Sequence, residues 1–251
     1  MHTIKSVREV SKIKKACSVV AEILQVLMEE TTTGMSTNDL DRRAHELTLK
    51  KGATPAFMGY HGFPKTLCAS VNEEVVHGIP DDRVLKDGDI IGLDFGVIVD
   101  GWYGDSAVTV AVGKVSKEAE RLMKITNECL YKGIEACFPG NRLGDLGYAV
   151  QEHAEKNGYG VVRDFVGHGI GRALHEEPQI PNYGKKGTGM TLEAGMVLAI
   201  EPMITVGSYK VKVLKNNWTA VTTDGSLAAH FEHTVAVTEQ GPMILTDRTS
   251  L

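Results

Sequence analysis

The chain has 251 residues, 42% of them hydrophobic, and a formal net charge of −5. That is enough for one large globular domain or two small ones with an ample core, and the acidic balance, with a pI near 6.0, argues against general affinity for nucleic acid. Charged residues interrupt the N-terminus before an apolar signal segment forms, no window approaches the ~18 uncharged apolar residues of a membrane span, and Cys17, Cys68, Cys129 and Cys137 form no CxxC pair, so free thiols in a reduced cytoplasmic protein are expected.

In chain order, Ile4, Val7, Ile13, Cys17, Val20, Leu24, Leu27 and Met28 carry helical periodicity through the first 30 residues. Lys5, Arg8, Lys12 and Lys15 fall at spacings that share one face of that helix. They read as a solvated face or as a basic stripe for ribosomal RNA. After a turn at Thr33-Gly34, Ser36 is an N-cap with Asp39 three residues on, Leu40, Ala44 and Leu47 continue a second helix, and Gly52 ends it. A strand-and-loop region follows from Pro55 to Gly113.

Within that region, IIGLDFGVIVDGWYGDSAVTV reads as a hairpin around Asp100-Gly101, with Asp94 and Asp105 inside its two strands. If Asp100-Gly101 form the loop, Asp105 faces Gly96 and Asp94 is its diagonal neighbour; if Val99-Asp100 form it, the two aspartates face each other. Either register puts both carboxylates on one face of the sheet. Two such acids are turn-flanking groups at an exposed sheet end, or they share a cation that relieves their repulsion.

The plan then repeats 106 residues on. Ser116 to Phe138 reads as a long helix, Gly140, Asp145, Leu146 and Gly158 match Gly34, Asp39, Leu40 and Gly52, and a strand-rich tract runs from Val161 to Thr238. HGIPDDRVLKDGDIIGLDFG also resembles HEEPQ…TLEAGMVLAIEP, pairing Asp94 with Glu201. These features predict an α+β domain over residues 1–251, built of two pseudo-symmetric halves (about 1–113 and 114–251), with helices covering an antiparallel sheet.

In the second half, Glu201 interrupts MVLAIEPMIT and Glu232 interrupts AAHFEHTVAVT. Lone acids in such runs are usually salt-bridged, but four in strand contexts across two matching halves point to one shared site. Two Asp and two Glu carry a charge of about −4, which two divalent ions cancel; oxygen ligands with one or two imidazoles suit manganese, iron, cobalt or zinc. GHGIGRALHEEP adds His168 and His175, and VVHGIP adds His77. The GxGxG lacks the flanking strand, helix and acid of a dinucleotide fingerprint.

GYHGFPKTLCASVNEEVVHGIP, GDIIGLDFGVIVDGWYGDSAVT, GHGIGRALHEEPQIPNYG, LEAGMVLAIEP and FEHTVAVT together resemble type I methionine aminopeptidases over essentially the full chain. The resemblance implies the pita-bread (creatinase/aminopeptidase-like) fold, and removal of the initiator methionine from nascent chains whose second residue is small. It implies metal ligands at Asp94, Asp105, His168, Glu201 and Glu232, substrate and transition-state contacts at His77 and His175, and a proton shuttle at Glu201. By the same resemblance, Phe57, Tyr60, His61, Phe63, Cys68, Leu174 and Trp218 line the methionine pocket; for Phe57, Phe63 and Trp218 the alternative is ordinary core. Two divalent metals, with a monovalent cation near Asn72, are the expected cofactors. Nascent polypeptide N-termini and the ribosome are the expected partners of a cytoplasmic monomer; neither DNA nor a membrane is. A proline-specific peptidase of the same fold is the nearest rival, and is expected to carry an additional N-terminal domain. A non-catalytic module of that fold typically loses ligands, whereas all five ligand types are present.

Overall fold

The structure, a computed structural model, describes residues 3–248; residues 1–2 and 249–251, the ends of the expected domain, lie outside the described residues. Helix α1 (Val7–Glu30) begins where Ser6 and Glu9 cap it reciprocally, and buries Ile13, Cys17, Val20, Leu24 and Leu27 along one side. Helix α2 (Thr37–Lys50) starts at the expected box: Ser36 N–H donates to Asp39 Oδ2 at 2.8 Å and Asp39 N–H to Ser36 Oγ at 3.1 Å.

The second half follows the same plan. Helix α3 (Lys117–Glu135) is capped by Ser116 and stops short of the expected Phe138. Pro139 comes next and disfavours helical geometry in the residue before it. Helix α4 (Leu143–Lys156) opens with Arg142 N–H donating to Asp145 Oδ2, the counterpart of Ser36 and Asp39. The framing glycines match in conformation: φ is 93° at Gly34 and 91° at Gly140, 68° at Gly52 and 83° at Gly158. Their partners match too, since Gly34 N–H donates to Leu85 O and Gly140 N–H to Leu192 O, both at 2.9 Å.

Among the described residues every strand ladder is antiparallel, and the ladders fall into four sheets. The hairpin of Ile90–Val99 and Trp102–Ala111 dominates the first half, with Leu67–Val71 and Thr54–Pro55 along its outer edge. Asp100 (φ 51°) and Gly101 (φ 75°) are both left-handed, the geometry of a two-residue turn that matches strand twist. This selects one of the two registers: Gly96 faces Asp105 and Asp94 faces Ala107. Helix α1 lies so close to the hairpin that a Cβ on Gly104 would come within 2.6 Å of Cys17 N.

In the second half, the runs carrying Glu201 and Glu232 are not continuous strands. Val197–Ile200 and Met203–Thr205 are separated by Glu201-Pro202, and Ala228–His230 and His233–Thr238 by Phe231-Glu232. Proline supplies no N–H for a ladder at the first break. The register nevertheless continues, with Ile200 facing His233 and Met203 facing His230, so Glu201 and Glu232 stand opposite each other where the ladder passes from a five-stranded sheet to a three-stranded one.

Hydroxyls join the halves at this level. Ser106 Oγ donates to Glu232 O at 2.6 Å, Thr109 Oγ1 to His230 O at 2.8 Å and Thr234 Oγ1 to Asp105 O at 2.7 Å, while Glu232 N–H donates to Ala107 O at 2.9 Å. The main core fills the space between helices and sheets, and a second apolar cluster containing Phe57, Phe63, Cys68, Trp102 and Leu174 lies against the hairpin.

The basic stripe changes at its first member. Lys5 precedes the helix and is buried against Glu176, so it presents no charge to solvent. Arg8 and Lys15 are exposed and Lys12 is half-buried, its Nζ 5.9 Å from the centre of the Trp102 ring. Among the described residues no helix is long and apolar enough to cross a membrane. All four cysteines are free and buried.

Candidate functional site

One cavity of about 200 Å3 gathers all fourteen predicted site residues: Asp94, Asp105, His168, Glu201, Glu232, His77, His175, Phe57, Tyr60, His61, Phe63, Cys68, Leu174 and Trp218. It is smaller than the ~300 Å3 and upward usual for drug-sized ligands, which suits a single side chain. Strand parity brings Asp94 and Asp105 in from the hairpin, and the two ladder breaks bring in Glu201 and Glu232. Cys68 faces Asp94 across the neighbouring strand and so lines the same wall.

Ligand atoms of Asp105, His168 and Glu232 lie within 4.8 Å of one another. His168 Nε2 is 3.4 Å from Glu201 Oε1 and 4.0 Å from Asp105 Oδ2. Burial pushes the carboxyls of all four acids up: Asp94 to about 7, and Asp105, Glu201 and Glu232 well above the usual range, helped by their neighbours' charges. Burial pulls His168 down to about 3, so its ring is neutral. Its Nδ1 lies 2.9 Å from Gly169 O and must be the protonated nitrogen to bond there, which leaves Nε2 as a bare lone pair facing carboxylates.

Those groups fit a cation. Asp94 Oδ1, Asp105 Oδ1 and Glu232 Oε1 are buried with no hydrogen-bond partner among the described residues. Oxygen atoms so placed, converging with an imidazole lone pair, carry a large penalty that a bound metal removes.

Around this centre, His175 stacks edge-on against His168 with ring centroids 4.3 Å apart, and its Nδ1 is 2.7 Å from Tyr60 Oη. Burial raises the Tyr60 phenol, so it stays protonated and is able to donate to Nδ1, a bond that goes with the His175 tautomer carrying its proton on Nε2. Burial lowers His77 to about 4, keeping it neutral. His77 (φ 60°) and His61 (φ 48°) both hold left-handed backbone, strain of about 1–3 kcal/mol each that surrounding structure must enforce and that clusters at functional sites. Phe63 and Trp218 meet edge-to-face at 5.1 Å, so these aromatics both pack in the apolar cluster and line the cavity. Near the expected monovalent position, the Asn72 side chain donates to Asp89 Oδ1 and accepts from Ile90 N–H, and the Asn72 backbone carbonyl accepts from Ala228 N–H at 2.9 Å.

Sequence reasoning missed His230. It is 3% exposed, its Nε2 has no hydrogen-bond partner among the described residues, and it lies 3.7 Å from Glu201 Oε2. Its position two residues before Glu232, in the same apolar run, was the available signal.

Residues 11–239 match the profile of metallopeptidase family M24. The chain is 52% identical over 247 residues to a methionine aminopeptidase of Clostridium acetobutylicum, covering 98% of this chain and 99% of that one. It superposes on the crystal structure of methionine aminopeptidase from Rickettsia prowazekii with a TM-score of 0.97, at 45% identity, covering 98% of this chain and all of that one. The prolidase of Pyrococcus furiosus is more distant, with a TM-score of 0.78 and 25% identity, and this chain covers only 65% of it. Near-complete coverage on both sides, together with a metal-adapted site that opens into a cavity the size of one side chain, leads to the conclusion that this chain belongs to metallopeptidase family M24, among the methionine aminopeptidases of its pita-bread fold.

Proposed function

We propose that Asp94, Asp105, His168, Glu201 and Glu232 hold two divalent metal ions, of cobalt, manganese, iron or zinc, with a monovalent cation beside the Asn72 carbonyl. When bound, such ions polarise the scissile carbonyl and favour an ionised water at neutral pH. The chain's own groups do the rest. Phe57, Tyr60, His61, Phe63, Cys68, Leu174 and Trp218 receive the methionine side chain; aromatics and sulfur make a soft apolar slot suited to a thioether. The Glu201 carboxylate accepts the proton of the attacking water and passes it to the departing amine. His175 Nε2–H, with Nδ1 held by Tyr60, donates to the developing oxyanion, and His77 contacts the substrate.

The observation that carries this reading is the convergence on a neutral His168 of four acidic side chains, Asp105 and Glu232 buried and Asp94 and Glu201 half-buried, three of them with oxygens unpartnered among the described residues. Because the bond to be cut must reach the floor of a narrow cavity, the second residue of the substrate has to be small. The substrates proposed are therefore nascent chains in the cytoplasm. The test is hydrolysis by metal-stripped protein with each ion restored in turn. Met-Ala-Ser should be cleaved, and Met-Lys-Ser and Ala-Pro peptides spared; equal cleavage of all three would contradict it. Ribosome docking through Arg8, Lys12 and Lys15 is a separate proposal, and unchanged co-sedimentation at low salt after charge reversal at Arg8 and Lys12 would remove it.

A further inference from the structure

Glu176 follows His175 directly, and its carboxylate ties together the loop that presents Leu174 and His175 to the cavity. Oε1 accepts from Arg172 N–H at 2.6 Å and from Ala173 N–H at 3.2 Å, closing the turn. Oε2 points the other way and accepts from Lys5 Nζ and Thr3 Oγ1, both at 2.7 Å. Lys5 is 7% exposed and lies just before α1. Its backbone N–H donates to Gly195 O at 2.8 Å, and Gly195 N–H to Val237 O at 2.8 Å. The N-terminal segment is therefore anchored to the strand pair that leads to Glu201 and Glu232, while its side chains grip the loop.

The fit is close. A Cβ on Gly171 would lie 2.8 Å from both Lys5 Cε and Glu176 Oε1, and one on Gly195 would lie 2.7 Å from Lys5 O. Burial alone would raise the Glu176 carboxyl, but the hydrogen bonds from Lys5 and Thr3 outweigh it and hold the group ionised. Desolvating an ammonium and a carboxylate makes a buried pair a poor source of net stability; what such a pair supplies is one fixed geometry.

We propose that Lys5 is a positioning residue for the aminopeptidase reaction: through Glu176 it straps the loop of residues 171–176, and so sets Leu174 against the methionine side chain and His175 against the reacting carbonyl. This rests on the roles proposed above for Leu174 and His175.

The test uses the metal-loaded full chain. Lys5→Met keeps the length of the side chain and removes its charge. Metal content should stay at the wild-type level while kcat/KM on Met-Ala-Ser falls about 10- to 100-fold, the scale of a small misplacement of catalytic groups. Lys5→Arg should recover most of the loss. Lys5→Met combined with Glu176→Gln should lose no more than the worse single variant, since both cut the same strap. Hydrogen exchange at the Arg172 and Ala173 amides should accelerate in Lys5→Met. Unchanged exchange there overturns the strap itself. Accelerated exchange with wild-type kcat and KM overturns the proposal at its other end, because the loop would then be strapped without touching substrate.

Discussion

Replacing Asp94 by Asn should stabilise the metal-free protein at neutral pH and destabilise the metal-loaded one. Burial pushes the Asp94 carboxyl up to about 7, against about 3.9 in an unfolded chain. The folded metal-free protein thus binds this proton more tightly than the unfolded chain. The stability associated with the protonated group is complete below about pH 4 and is lost as pH rises through about 7. A gap of about three units corresponds to about 4 kcal/mol; Asp94 borders the open cavity, where solvent screens part of the cost, so about 2 kcal/mol is the expected size. Asp105, Glu201 and Glu232 are pushed the same way, and the observed titration belongs to the group of four rather than to one side chain. The assay is the urea midpoint of stripped wild type and stripped Asp94→Asn at about pH 5 and about pH 7.5, taken as a difference so that titrations elsewhere cancel. In melting temperature, about 2 kcal/mol is roughly 4–8 °C for a chain this long. Restoring metal should invert the sign, because the cation favours the carboxylate the variant lacks. A wild-type-minus-variant difference that is independent of pH, or a stripped wild type more stable than the variant at about pH 7.5, refutes the reasoning.

His168→Ala should lose metal on dialysis, whereas His175→Ala should keep it and lose roughly 10²–10³ in kcat; metal analysis beside kinetics separates the two, and equal metal loss would remove the role given to His175. His230→Leu should lower kcat by about tenfold with little change in KM by setting an apolar group where a polar imidazole lies 3.7 Å from the Glu201 carboxyl, and His230→Gln should retain most activity; identical kinetics for the two variants would show that no polar neighbour is needed there. Gly104→Ala should cost about 1–3 kcal/mol, because its methyl would press into the backbone of α1; an unchanged denaturation midpoint would mean that the helix shifts freely.

What could be seen in the sequence was what repeats at fixed spacing. Strand parity put Asp94 and Asp105 on one face whichever register held, and the turn decided only which residues oppose them. The caps at Ser36 and Asp145 and the glycines framing the second helices are local features, formed within a few residues, and they emerged where the pattern placed them. What stayed hidden depended on distant partners. Nothing near Lys5 announces Glu176, which is 171 residues away, and helical spacing alone placed it on a solvated stripe. The interruptions at Glu201-Pro202 and Phe231-Glu232 look like unbroken strands because the apolar run continues on both sides. The left-handed histidines, His61 and His77, carry no local mark, since packing rather than residue type enforces them.

Each half brings two carboxylates to the level at which Ser106, Thr109 and Thr234 bind one half to the other. Four mutually repelling acidic groups are therefore seated on the molecule's own midline. A cation held there acts as a rivet as well as a reagent, and withdrawing it should loosen the protein from the middle outward, with amides at the midline losing protection before the helix ends fray.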